Sequence, residues 1–276
     1  LLQAYWVGEM DSAEDHKPPV LILAYVYPPD NYSGAARPYR FAKYLARLGH
    51  PVEVIAAGAG DGVQVAGPVY RVRGELGEQR KTLLDKLVRA VWLQYDEGLT
   101  WVPRAVRLAK RWSSRRPVLL STSPPLTTHL AALWLKRRYG WKWVADFRDP
   151  LVGNPFRELR RVRYTDGVLE RCFFRHADAL IANTDAMAAF WRRLHPSYEH
   201  KITLLWNSFD AEEPIGPAPL PPRDFRVLAH VGTIYGNRHP GLVLAAVARL
   251  IAKGRLDPAK LRIQLVGPME ARACLA

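Results

Sequence analysis

Only two cysteines, Cys172 and Cys274, occur in the 276 residues, far apart and outside any CxxC pairing. Their scarcity excludes a disulfide framework and a cysteine-based zinc site, and makes a reducing, cytoplasmic compartment the default. Long apolar runs are missing too. The longest, such as Val20 to Tyr27, fall far short of the ~20 residues a membrane-spanning helix needs. No secretory signal is expected, because Glu9, Asp11, Glu14 and Asp15 stand where a basic and then an apolar stretch would be. The eight histidines show no HxH or HExxH spacing, so no metal is expected. GxGxxG, the P-loop and the nucleophile elbow are also absent. Their absence withdraws support from dinucleotide binding, P-loop phosphoryl transfer and covalent serine hydrolysis.

Acidic residues are the last shortage: 26 Asp and Glu against 40 Lys and Arg leave a net charge of +14. Such an excess implies anionic partners. It is concentrated in two stretches, Arg71 to Arg116 with 12 basic and 5 acidic residues, and Lys136 to His176 with 11 and 5. There the cations are threaded through apolar helical patterns, as in Leu83, Leu84, Leu87, Val88 and Val91 with Lys86 and Arg89 between them. The stretches therefore read as amphipathic basic helices. A solvated helix face accounts for them, and so does an anionic membrane surface on which Trp92, Trp101 and Trp112 anchor while Lys and Arg meet phosphate. Nucleic acid is not expected as a partner, since no DNA- or RNA-binding motif accompanies the charge.

What is present is a globular composition, 49% hydrophobic, 24% charged and 11% aromatic. The length predicts about two domains. After an amino-terminal tail, residues 1–19, strands and helices alternate. Strands are expected at Val20 to Tyr27, Val52 to Ala57, Val69 to Val72, Val118 to Ser123, Trp143 to Phe147, Ala179 to Ala182 and Ile202 to Leu205. Helices are expected at Arg37 to Leu48, Leu126 to Tyr139, Leu159 to His176 and Ala186 to Leu194. This alternation predicts an α/β domain over residues 20–210, a Rossmann-like parallel sheet covered by helices, with ligands at the carboxyl ends of the strands. Residues 211–223 carry Pro214, Pro217, Pro219, Pro221 and Pro222 and read as a linker. From residue 224 to 276 the pattern restarts with strand Phe225 to Val231, helix Pro240 to Lys253 and strand Arg262 to Val266. Two strands and one helix cannot bury a full α/β core, so this second domain reads as truncated.

Three places carry candidate chemistry. The loop Asn31 to Arg37, with Ser33 and Gly34, brings small residues to a helix amino terminus, which suits either an anion or a plain turn. Asp146, Arg148 and Asp149 fall at the carboxyl end of a central strand. Two carboxylates and a guanidinium there can hold sugar hydroxyls or position a substrate alcohol, or form an internal brace for the loop. His239, beside Arg238 and Pro240 at the mouth of the second domain's helix, is placed to hold a phosphate.

These pieces together resemble glycosyltransferase family 4 of the GT-B enzymes, particularly those building bacterial surface polysaccharides. The resemblance rests on Pro28-Pro29 with Ser33-Gly34 and Arg37, Leu48 to Val54, Ser123-Pro124-Pro125 and Asp146 to Pro150. It also rests on Ala177 to Ala179, Asn207 to Asp210, and Val231-Gly232-Thr233 through Arg238. It implies a GT-B fold and a retaining transfer of sugar from a nucleotide sugar to a lipid-linked or polysaccharide acceptor. The nucleotide sugar enters as substrate and no cofactor is implied. Asp146 and Asp149 are then catalytic, Ser33, Gly34, Arg37 and Arg148 belong to the acceptor-side loop, and Gly232, Thr233 and Arg238 hold the donor diphosphate. Peripheral attachment at the inner membrane face follows from a lipid-linked acceptor. Departures exist. Thr233 stands where many relatives have arginine, and Ser208 replaces a common glycine. The downstream pair of glutamates separated by seven residues does not occur before Ala276, so the chain is expected to hold the acceptor half and the opening of the donor half. Two other readings remain: a non-catalytic module binding anionic membrane or a partner, and another GT-B chemistry such as sugar-nucleotide epimerisation.

Overall fold

A computed structural model of the chain describes residues 17–30, 32–60, 62–74, 98–154, 160–212, 223–234 and 240–269, with residues 33 and 160–163 as backbone only. The basic helix expected around Leu83 to Val91, Trp92, most of the Pro-rich linker, His239 and Arg238 lie outside the described residues. The chain divides into two compact units, residues 1–211 and 212–276.

The first unit is built on eight strands: β1 (Val20–Leu23), β2 (Val52–Gly58), β3 (Val63–Ala66), β4 (Val69–Arg73), β5 (Val118–Ser123), β6 (Trp143–Phe147), β7 (Ala179–Ala182) and β8 (Ile202–Leu204). They form one sheet in the order β3-β4-β2-β1-β5-β6-β7-β8. Every pairing is parallel except β3 with β4 at the edge. The α/β parallel sheet is the one the strand–helix alternation predicts. The antiparallel β3 was not foreseen: its four residues are exposed, so burial gave the sequence no apolar run there to read. Predicted strand Val20 to Tyr27 ends as regular strand at Leu23, although Ala24 and Tyr25 still exchange backbone hydrogen bonds with Ile55 and Ala57.

Side chains alternate across β1, and so does the core. Leu21 and Leu23 join Ile55, Trp101, Leu119, Phe173 and Trp191 in a large cluster on one face. Val20 and Ile22 join Val54, Ala56 and Ala42 in a smaller cluster on the other. Helix α1 (Ala36–Arg47) covers the second face through Phe41, Ala42 and Leu45. Helices α2 (Trp101–Ala109), α3 (Thr127–Tyr139), α4 (Arg160–His176) and α5 (Asp185–Leu194) contribute to the first. Helix α3 stops where Gly140 takes a left-handed conformation at φ 71°, which a side chain would resist. Helix α5 starts at Thr184, whose hydroxyl accepts from the Met187 N–H at 3.2 Å.

The large cluster corrects one expectation. Trp101 and Trp112 are buried, at 0% and 3% exposure. Trp101 packs edge-on against Tyr25, and the Trp112 indole donates to Glu53. Neither ring can anchor at an interface, because both are already spent on the core. No described helix is long and apolar enough to cross a membrane.

In the second unit, β9 (Arg226–Val231) and β10 (Leu261–Val266) pair in parallel and helix α6 (Gly241–Ala252) lies between them in sequence. Helix α6 has no buried residue, and Leu242 is 83% exposed.

Candidate functional site

From β1 the chain moves outward to β2 on one side and later to β5 on the other, so the strand order reverses between β1 and β5. A crevice opens at the carboxyl ends of strands where the order reverses in this way. The loops after β1, β5 and β6 meet there. The Arg148 N–H donates to the Ser123 carbonyl at 3.0 Å, its Nε donates to the same oxygen at 3.0 Å, and its Nη2 donates to the Pro124 carbonyl. The side chain just after β6 is thereby tied to the end of β5. Burial lowers the Arg148 pKa from the ordinary arginine value. The carboxylates of Asp146 and Asp149 raise it and Arg37 lowers it further.

Gly34 lies against that guanidinium. A Cβ built on Gly34 falls inside contact distance of Arg148 Nη1 and 3.0 Å from its Cζ. The requirement for glycine is a close approach, made where the 3-10 turn Ser33–Ala35 leads into α1. Asp149 is exposed and makes no hydrogen bond or ion pair among the described residues. Gly34→Ala is expected to push the Arg148 fork out of place and to slow any reaction in which that fork takes part on the order of tenfold. The unfolding midpoint should shift only slightly, because a flexible side-chain end can move aside. Initial rates and a urea titration of the same preparation check both halves of this expectation.

Arg37 and Asp146 occupy different ground. Asp146 is 0% exposed and Arg37 8%. Arg37 Nη2 donates to Asp146 Oδ1 at 2.7 Å, and Nε lies 3.1 and 3.0 Å from the two carboxylate oxygens. The Thr122 hydroxyl donates to Asp146 Oδ2 at 2.7 Å. The remaining guanidinium donors reach the Leu205 carbonyl at 2.8 Å, the Trp206 carbonyl at 3.0 Å and Asn207 Oδ1 at 3.1 Å. Each Asp146 oxygen thus has two donors and each Arg37 nitrogen has acceptors. Of the alternatives open for the Asp146 group, the internal brace is the one its geometry matches, with Arg37 as partner. Of the other members of that group, Arg148 lies against Gly34 and Ser123, and Asp149 is exposed.

The brace extends along α1. Arg40 donates to the Ser208 carbonyl, Lys43 pairs with Asp210, and the Tyr44 hydroxyl donates to Asp210 at 2.8 Å. Residues 37, 40 and 44 recur at helical spacing and hold segment 205–210 along one face. The role of this row was not legible in the sequence. In the sequence Arg40, Lys43 and Arg47 are only the cations away from Phe41 and Leu45, and nothing local names the acceptors of Arg40 and Lys43, more than 160 residues away.

Glu170 and His195 were also missed. Glu170, fully buried, accepts from the Leu151 and Val152 N–H groups at 3.2 and 3.1 Å and faces His195 Nε2 at 2.9 Å. Burial pushes its pKa up, while those hydrogen bonds and His195 pull it down. A carboxylate on α4 therefore fixes the backbone just after Asp149 and Pro150. Behind the crevice, His129 of α3 is wholly buried against Phe147, its Nδ1 2.7 Å from Ser121 Oγ, which also accepts from Trp143 Nε1 at 2.7 Å. His129 Nε2 has no hydrogen-bond partner among the described residues, and the pKa falls from 6.5 to about 3, first through burial and then through Arg148.

In the second unit, Gly232 ends β9 at φ 144° and its N–H donates to the Val266 carbonyl at 2.8 Å. Gly267 ends β10 at φ 133°, where a Cβ would fall 2.8 Å from the Gly232 carbonyl carbon. Two glycines let the two strand ends meet backbone to backbone. Thr233 is exposed beside them. Each unit thus presents backbone and small residues at the carboxyl ends of its parallel strands.

Residues 34–207 match the family described as Glycosyl transferase 4-like domain. No curated protein matches the chain. Among solved structures, sucrose-phosphate synthase from Thermosynechococcus elongatus is similar with a TM-score of 0.64 at 13% identity, over 93% of this chain and 64% of that one. Anabaena HepE, crystallised with UDP and glucose, aligns at 15% identity with a TM-score of 0.48, over 93% of this chain and 62% of its own. The chain thus spans a little under two thirds of the length of each. The first likeness shows the fold, which is of the GT-B glycosyltransferase type. With more than half of its length matched, and the crevice loops from Gly34 to Asn207 inside the match, the chain belongs to the glycosyl transferase 4-like family.

Proposed function

We propose that the protein is a retaining glycosyltransferase that moves a sugar from a nucleotide sugar to a lipid-linked or polysaccharide acceptor. The observation that carries this reading is the coincidence of the family match with the meeting of Gly34 and Arg148 at strand ends where the order reverses, next to the exposed Asp149. In this reading the acceptor hydroxyl lies at the first unit. Asp149, exposed and without a hydrogen bond among the described residues, accepts its hydrogen bond and takes its proton as the new bond to the anomeric carbon forms. Arg148, held by two carbonyls on the acceptor side, meets the negative charge of an acceptor phosphate. Asp146 and Arg37 act one step back, fixing the end of β6 from which residues 148 and 149 project. Gly232 and Thr233, with Arg238, belong to the donor diphosphate side. Neither a cofactor nor a dedicated metal enters this reading. The protein works in the cytoplasm, peripherally at the inner membrane face if its acceptor is lipid-linked.

The test is transfer of radiolabelled sugar by the complete gene product from a panel of nucleotide sugars into a lipid extract and a polysaccharide fraction. Incorporation with the donor's anomeric configuration kept in the product is the expected result. A folded protein that turns over no donor contradicts the reading. Conversion of a donor without any acceptor supports epimerisation instead.

A further inference from the structure

The buried state of Trp101 and Trp112 moves the question of a membrane surface to another place. Helices α2 and α3 pack side by side over the large core cluster, and a cleft of about 330 Å³ runs between them. It is lined by Val102, Pro103, Val106, Arg107, Lys110 and Trp134. Trp134 is 44% exposed, far more than the two core tryptophans. The helices that line the cleft carry charge of one sign. From Trp101 to Arg116 the chain holds six Arg and Lys and no Asp or Glu, and α3 holds Lys136, Arg137 and Arg138 with no acid. Some of these cations are engaged: Lys136 pairs with Asp178 at 2.6 Å, and Arg115 lies 3.7 Å from Glu53. Arg107, Lys110, Arg137 and Arg138 are exposed.

We propose that this α2–α3 face docks on an anionic lipid bilayer, with Trp134 at headgroup depth and an acyl chain entering the cleft. The proposal rests on the reading that the protein works at a membrane, and it names the face. Its chemistry follows from the parts. An indole with an apolar body and an N–H prefers the membrane interface. Lysine and arginine lay their stems along apolar surface while their heads reach lipid phosphate. A soluble surface ordinarily mixes both signs, whereas the segment from Trp101 to Arg116 and helix α3 hold cations alone. An aliphatic cleft beside the tryptophan suits a hydrocarbon chain, which nucleic acid does not offer. Because α1 covers the opposite face of the sheet, docking through α2 and α3 leaves α1 and the segment 205–210 away from the bilayer.

The test is co-sedimentation of the complete gene product with vesicles of phosphatidylcholine alone or mixed with phosphatidylglycerol. The protein is expected to pellet with the mixed vesicles only, and to be released as salt rises. Trp134→Ser and the double variant Arg107→Glu/Lys110→Glu should each weaken partitioning on the order of tenfold or more. Arg47→Glu, on α1, should leave it within about twofold. Circular dichroism and melting of each variant should match the parent. If the parent pellets and both α2–α3 variants pellet equally well, the face is wrong while the membrane reading stands. If the parent does not pellet at all, both fall. If the same variants instead lose binding to an RNA oligonucleotide and not to vesicles, the surface is one for nucleic acid and the proposal is overturned.

Discussion

Arg37→Met is expected to lower the unfolding free energy by about 3–5 kcal/mol, the range for removing one partner of a buried ion pair. The cause is the carboxylate left behind. Asp146 is completely buried, and without the guanidinium it retains only the Thr122 hydroxyl as a side-chain donor among the described residues. The Leu205 and Trp206 carbonyls also lose their donor, so the segment leading to residue 210 should loosen with the sheet edge. A urea titration should show the midpoint falling. The pair should also be strongly non-additive: Arg37→Met/Asp146→Leu, which removes both charges, should be less damaging than Arg37→Met alone. A midpoint close to the parent's for the single variant, or additive losses in the double variant, would contradict the brace.

The second large effect is a dependence of stability on pH. His129 has an ordinary value of 6.5 and is held down to about 3 in the fold. Between these values the unfolded chain binds a proton that the folded chain does not. The stability associated with His129 is therefore complete above about pH 6.5. It is lost as the pH falls toward 3, with a slope approaching about 1.4 kcal/mol per pH unit in mid-window. Glu170, pushed up by burial, and Asp178, held low by its hydrogen bonds from Lys136 and Trp143, add their own dependence on pH. The useful quantity is accordingly the difference between the parent and His129→Leu. Urea unfolding at a series of pH values from 7 to 4 should show the parent losing stability more steeply than the variant. Parallel curves for the two proteins would show that His129 is not held neutral.

The sheet was legible in the sequence because its central strands are buried on both faces. Val20 to Leu23, Val118 to Ser123 and Trp143 to Phe147 are nearly continuous in apolar or small residues, and proline or glycine marks many of their ends. Strand β3 was illegible for the opposite reason, since it is exposed at the sheet's edge and its four residues carry no buried pattern. The candidate site was half legible. The spacing of Asp146, Arg148 and Asp149 announced a strand end with charge, but the division of labour among them depends on what each side chain meets in three dimensions. Asp146 faces Arg37, 109 residues earlier, whereas Arg148 turns back to Ser123 and Gly34. Alternation along a strand says that neighbours face opposite ways and does not say which one finds a partner. The tryptophans teach the same lesson. Trp101, Trp112 and Trp134 all lie among basic residues, and only packing against Tyr25 and Tyr70 separates the core rings from the exposed one.

The central claim is that Asp149, set at the end of β6 by the Arg37–Asp146 brace, serves the acceptor in sugar transfer. It is tested most directly by steady-state kinetics of Asp149→Asn, with the acceptor and the nucleotide sugar varied in turn. The account predicts that kcat/KM for the acceptor falls on the order of a hundredfold, that binding of the nucleoside diphosphate is unchanged, and that the unfolding midpoint stays at the parent's value. Full activity in the variant, or a loss confined to nucleotide binding, would contradict it.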